Sequence, residues 1–125
     1  MTAVEIDHAM MVSRLKKDVT DIMDGLNGPQ VDGIHMLIGL FGEVGELTDA
    51  IKKCVIYGQP LDVENVIEEL GDIEFYLEGL RQNLGIIREQ TLEDNIKKLR
   101  KRYGNKYSDE PAKERIDKQD VETDK

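Results

Sequence analysis

Residues 35–77 read HMLIGLFGEVGELTDAIKKCVIYGQPLDVENVIEELGDIEFYL, two apolar patterns separated by the break YGQPLD at 57–62. After the break, Val63, Val66, Leu70, Ile73, Leu77, Leu80 and Leu84 recur at steps of three and four. That is the period of a helix with one buried face, and Asp62 stands where an N-cap belongs. Before the break, a second helical pattern runs from about Gly33 to Tyr57, with Asp32 as its expected N-cap. Nothing in the segment alternates with period two. A connection this short makes the two helices antiparallel neighbours.

The flanks extend the same reading. Val4, Met11, Leu15, Val19 and Ile22 follow steps of seven, four, four and three, one N-terminal helix ending in the turn formers DGLNGP at 24–29. A last helix begins near Thr91 and carries Leu92, Ile96, Leu99 and Tyr103. The expected fold is all-α, a four-helix bundle over residues 1–107. From Ser108 onward the chain reads SDEPAKERIDKQDVETDK. That stretch offers almost nothing to bury, so 108–125 is expected to be a solvated, charged tail.

Composition narrows the function. One domain is expected at 125 residues, with a modest aliphatic core, since 39% of residues are hydrophobic, two are Phe and none is Trp. A net charge of -9 disfavours nucleic acid and anionic membrane as partners. No apolar run approaches the ~20 residues that span a bilayer. The N-terminal MTAVEIDHAMMV has no basic region ahead of its apolar residues, so no secretory signal is expected. A lone Cys54 leaves no internal disulfide and no cysteine-built zinc site, and it fits a reducing cytoplasm.

Two acidic pairs stand out. Glu43 and Glu46 lie three apart on one helix, and Glu69 and Asp72 three apart on the next. Residues three apart share a helix face, so each pair points one way from the shoulder of its apolar stripe. In an antiparallel hairpin the pairs can meet. Four converging carboxylates repel one another in a partly desolvated site, and a divalent cation removes that cost. An all-oxygen donor set suits a hard ion, Mg²⁺ first and Mn²⁺ next. A single such pair is usually a solvated face, the reading given to Glu64, Glu68, Glu74 and Glu78. Spacing alone leaves a metal site and a solvated acidic face equally open. Gly39, Gly42 and Gly71 stand beside these carboxylates, at about 1 kcal/mol each relative to Ala in a helix. They are expected to let a ligand or a neighbouring backbone come close.

The arrangement Glu43-x-x-Glu46, 22 residues, Glu69-x-x-Asp72 resembles the signature of the all-α nucleoside triphosphate pyrophosphohydrolases, in particular the MazG-like branch. The similarity runs through most of 33–108 and includes the closing NIKKLRKRYGNKYS at 95–108. AKER at 112–115 departs from the Ala-Ile-Asn-Arg run common in related proteins, so no substrate role is carried over to it. The resemblance implies a helical bundle that dimerises or forms a dimer of dimers. It also implies Mg²⁺-dependent cleavage of NTP or dNTP to NMP or dNMP and pyrophosphate. Glu43, Glu46, Glu69 and Asp72 would then be the metal-binding and catalytic residues, one of the glutamates handling the nucleophilic water. The competing readings are a metal- and nucleotide-binding regulatory protein without turnover, and a helical interaction module.

Four further residues are candidate substrate contacts. Lys53 falls two turns beyond Glu46 on nearly its face; a phosphate contact and a solvated pair with Asp49 are equally open. Asn95, Lys98 and Arg102 share one face of the last helix, and the resemblance favours them for phosphate, sugar or base. Lys97, Arg100 and Lys101 fit better as charges complementing the helix dipole. Tyr76, one turn beyond Asp72, is read as core packing rather than base stacking. His8 and His35 are read as ordinary. The second helix carries Ile34, Leu37, Ile38, Leu40, Phe41, Val44 and Leu47 around most of its circumference, and Phe75 points off the third helix's stripe. Helices apolar on several sides are buried on several sides, so at least a homodimer is expected.

Overall fold

Helix starts are written into the side chains. In the computed structural model, which describes residues 1–104, the elements are α1 (Ala3–Leu15), α2 (Val19–Gly25), α3 (Gly28–Val55), α4 (Val63–Leu84) and α5 (Arg88–Tyr103). No strand occurs among the described residues. The all-α class holds. The tail at 108–125, the domain boundary at 107 and AKER lie outside the described residues.

The expected N-terminal helix is two helices. Asp18 accepts hydrogen bonds from the Thr20 and Asp21 amides and caps α2, while Lys16 turns extended and closes α1. Apolar periodicity runs across the break because both helices follow the same stripe; the capping aspartate is what divides them. The start of α3 also moves. Asn27 and Gln30 form a reciprocal capping box, with Pro29 in the first turn where its missing N–H costs nothing. Asp32 is therefore inside the helix, and NGP is a start signal rather than a turn. Asp62 caps α4 as expected, accepting from the Asn65 amide at 3.1 Å. α4 ends on Gly85, whose φ of 68° suits a residue without Cβ. α5 starts three residues before Thr91, at Arg88, without a side-chain cap.

Helices α3 and α4 form the one extensive helix–helix contact among the described residues, while α1, α2 and α5 touch the rest sparsely. The pair is an antiparallel hairpin. Near its open end Asn83 donates to the Pro29 carbonyl at 2.7 Å and to the Asp32 carboxylate at 3.2 Å. Further in, Met36 sits over Gly79 and Tyr76 over Gly39. Gly33, Met36, Gly39, Leu40, Glu43, Leu47, Ala50 and Cys54 are the residues of α3 withdrawn from solvent. Ala50 is the only apolar residue classed as buried among those described, at 8% exposure. Phe41 and Phe75 are 71% and 66% exposed. The chain's accessible surface is 10451 Å², whereas a compact monomer of this length exposes about 6,800 Å². Counting residues 105–125 as fully extended chain still leaves about 950 Å² of excess on the rest.

Candidate metal centre

Glu69 is the most buried residue described, at 5% exposure, although it is ionisable and lies in a chain whose large apolar side chains stay in contact with solvent. It faces Glu43 across the α3–α4 seam. One carboxylate oxygen each of Glu43, Glu69 and Asp72 lie within 4.8 Å of one another. Glu46 also reaches Glu69, from the α3 turn after Glu43. Three of the four carboxylates expected to converge lie within that distance of one another, and Glu46 stands outside the trio, acting on Glu69 alone.

Electrostatics confirm the crowding. The Glu69 carboxyl is pushed up from 4.5 to about 7, first by a hydrogen bond shared with Glu43, then by burial, then by a hydrogen bond with Glu46 and repulsion from both glutamates. Glu43 Oε2 and Glu69 Oε2 are buried without a hydrogen-bond donor. These two facts describe one situation. With both groups ionised no hydrogen lies between them; a single shared proton satisfies both oxygens, and that raises the affinity of Glu69 for it. No basic side chain is among the groups that shift Glu69. A divalent cation meets the same need as the proton, since it satisfies orphaned oxygens and cancels like charge. The donor set therefore fits a hard metal ion.

The sequence reading set all four carboxylates on the shoulder of the core. Glu69 is instead inside it, and Glu43 is half-buried in the seam. The signal was present in the spacing: Leu40, Glu43 and Leu47 step by three and four, as do Val66, Glu69 and Ile73. Each glutamate occupies a stripe position that an aliphatic residue would otherwise fill.

The glycines need correction. A Cβ on Gly39 would collide with the Tyr76 ring, so its missing side chain makes room for a tyrosine, not for a ligand or a backbone. Gly42 and Gly71 face nothing within 4 Å. Gly79, which the sequence reading passed over, makes the corresponding hole for Met36. Tyr76 is thus core packing, as expected, and also meets Phe75 edge to face, ring centres 5.2 Å apart.

The candidate substrate contacts are dispersed. Lys53 pairs with Asp49 at 3.0 Å on an exposed helix face. Asn95 and Lys98 line a shallow cavity on α5 together with Gln90, Thr91 and Asp94. Arg102 lies 5.8 Å from the centre of the Tyr103 ring. None of these contacts involves the carboxylate cluster. Glu74 and Glu78, read as solvated, are half exposed but share Arg81 between them, at 3.8 and 3.1 Å.

Among described residues no helix is long and apolar enough to cross a membrane. Residues 33–106, more than half of the chain, match the model of the MazG nucleotide pyrophosphohydrolase domain. No curated protein and no solved structure matches significantly.

Proposed function

Because the chain belongs to the MazG nucleotide pyrophosphohydrolase family, we propose that it cleaves NTP or dNTP to NMP or dNMP and pyrophosphate, with Mg²⁺ or Mn²⁺ held by Glu43, Glu69 and Asp72. The observation that carries the reading is the pair of donor-less buried oxygens, Glu43 Oε2 and Glu69 Oε2. Placing an anionic pair at the best-packed point of the hairpin is costly without a cation to bind.

A bound divalent ion would supply charge neutralisation for phosphate oxygens and a lowered pKa for a bound water. The protein's own groups divide the remaining work. Glu43, Glu69 and Asp72 converge tightly enough to ligate one ion. Glu46 reaches Glu69 but stays exposed to solvent. Its role in this reading is to accept the proton of a water attacking the α-phosphorus. The rigid hairpin fixes these groups relative to one another before substrate arrives.

Lys98 and Arg102 are cations suited to the outgoing phosphates. The apolar surface left on α3 and α4 belongs to a homodimer or dimer of dimers. Lys53, held by Asp49, is a weaker phosphate ligand than the α5 pair. The acidic chain acts on free nucleotides in the cytoplasm rather than on nucleic acid.

Hydrolysis in ¹⁸O-water tests the bond cleaved. Attack at the α-phosphorus puts the label in NMP, with pyrophosphate in equal amount and no orthophosphate. Label in pyrophosphate, or NDP as first product, contradicts the mechanism. Glu46→Gln should lower kcat by about two to four orders of magnitude, the usual contribution of a general base. It should retain most metal binding.

A further inference from the structure

One side of the hairpin carries a second feature. A cavity of about 620 Å³ opens between Asp32 and Met36 of α3 and Phe75, Glu78, Gln82 and Asn83 of α4. Met36 precedes Glu43 by seven residues, and Gly79, on the cavity wall, follows Asp72 by seven. Seven residues are about two turns, so the cavity is on the same side of the seam as the carboxylates and about 10 Å along it. That separation is about the span of a nucleoside monophosphate.

Its chemistry is unlike that of a phosphate site. The Asn83 amide N–H groups are committed to the Pro29 carbonyl and the Asp32 carboxylate. Glu78 receives hydrogen bonds from Arg81 and Gln82, which hold its carboxyl below the ordinary range and keep it ionised. What remains on the walls is mainly acceptor capacity: carboxylate oxygens of Asp32 and Glu78 and the Gln82 carbonyl. Phe75 and Met36 add an exposed ring and a thioether. Glu78 is paired with Arg81, but the Asp32 carboxylate meets the neutral Asn83 amide and disfavours a triphosphate here, so the neutral end of a nucleotide is the end that fits. Acceptors reward donors on that end.

Resting on the pyrophosphohydrolase reading, we propose that this cavity receives the nucleobase of the substrate and selects bases that carry an exocyclic amino group. Phe75 contacts the base face. Asp32, Glu78 and Gln82 accept from the amino group.

Two substrate pairs exchange that group for a carbonyl and a ring N–H, CTP against UTP and ATP against ITP, each assayed with Mg²⁺ on the full chain. The amino-bearing member of each pair should have a KM lower by about tenfold, the worth of one hydrogen bond to a charged acceptor. Asp32→Asn and Gln82→Leu should narrow that ratio by raising the KM of the amino-bearing member of each pair. Phe75→Ala should raise KM for all four substrates without altering the association state. Ratios within twofold, or ratios that neither Asp32→Asn nor Gln82→Leu alters, overturn the proposal while leaving the enzyme class intact. A change of association state in Phe75→Ala with base preference unaltered also overturns it, since Phe75 then belongs to an interface between copies. Turnover of no nucleotide defeats the enzyme class instead. CMP and UMP titrated against the amide resonances of residues 75–83 then decide the cavity separately: selective shifts with CMP support it, and none with either overturns it.

Discussion

Tyr76 lays its ring over Gly39, and both stand one helical turn from the carboxylate cluster, four residues after Asp72 and four before Glu43. The spacing of the carboxylates across the hairpin thus depends on a tyrosine filling a hole that only glycine leaves.

Gly39→Ala should disturb the site without touching a carboxylate. Alanine gains up to about 1 kcal/mol of helix propensity over glycine, but its methyl meets the ring, and overpacking of this kind costs about 1–3 kcal/mol. We expect a net loss of stability in urea titration and a weaker Mg²⁺ affinity. Gly42→Ala, at a position facing open space, should gain stability and leave the affinity alone. Equal behaviour of the two variants would show that the Tyr76–Gly39 contact does not set the ligand spacing.

Millimolar Mg²⁺ should raise the Tm of the wild-type protein, because an ion that binds only the folded state stabilises it by mass action. Asp72→Asn should respond less, and in the absence of metal it should melt no lower than wild type, having lost one repelling charge. Differential scanning calorimetry with and without Mg²⁺ checks both statements. Identical metal-induced shifts in the two proteins would rule out Asp72 as a ligand.

The metal-free protein should lose stability as pH rises from about 5 to about 7.5. Glu69 holds a proton in the folded state up to about 7 but releases it near 4.5 when unfolded. Folding therefore takes up a proton in this window, and raising the pH opposes it. Glu5 and Glu78 act in the opposite sense below the window. Their carboxyls are lowered by Thr2 and by Arg81 respectively, so their contribution is lost as the pH falls below 4.5. Maximum metal-free stability near pH 5 is the expected outcome of chemical denaturation across this range. Glu69→Gln should abolish the decline above pH 5, and a wild-type decline that persists in this variant would assign it elsewhere.

The apolar residues of α3 and α4 that remain in solvent, Phe75 apart, should be covered by a second copy. Specific interfaces bury about 800 Å² per partner, less than the excess surface carried by the described residues. Sedimentation velocity should show a dimer or tetramer at micromolar concentration. Phe41→Glu, at a ring 71% exposed, should shift the protein toward monomer and lower its Tm. A monodisperse wild-type monomer would refute the interface.

What the sequence determined was local. Periods of three and four made the chain all-α. Asp62 marked the start of α4, and the short break after Tyr57 set α3 and α4 side by side. The acidic pairs at 43/46 and 69/72 named the site, because a turn of helix fixes which residues share a face. Caps written in side chains were also present but were outvoted by the hydrophobic pattern at Asp18 and Asn27. Only the tertiary structure decided depth. Whether Glu69 sits beside the core or within it depends on how far α3 and α4 approach, and that distance is set by Tyr76 entering the space at Gly39 and Met36 the space at Gly79. The Glu43 contact, and burial after it, then raise the affinity of Glu69 for a proton, a property of the packed pair of helices that neither strip of sequence carries alone.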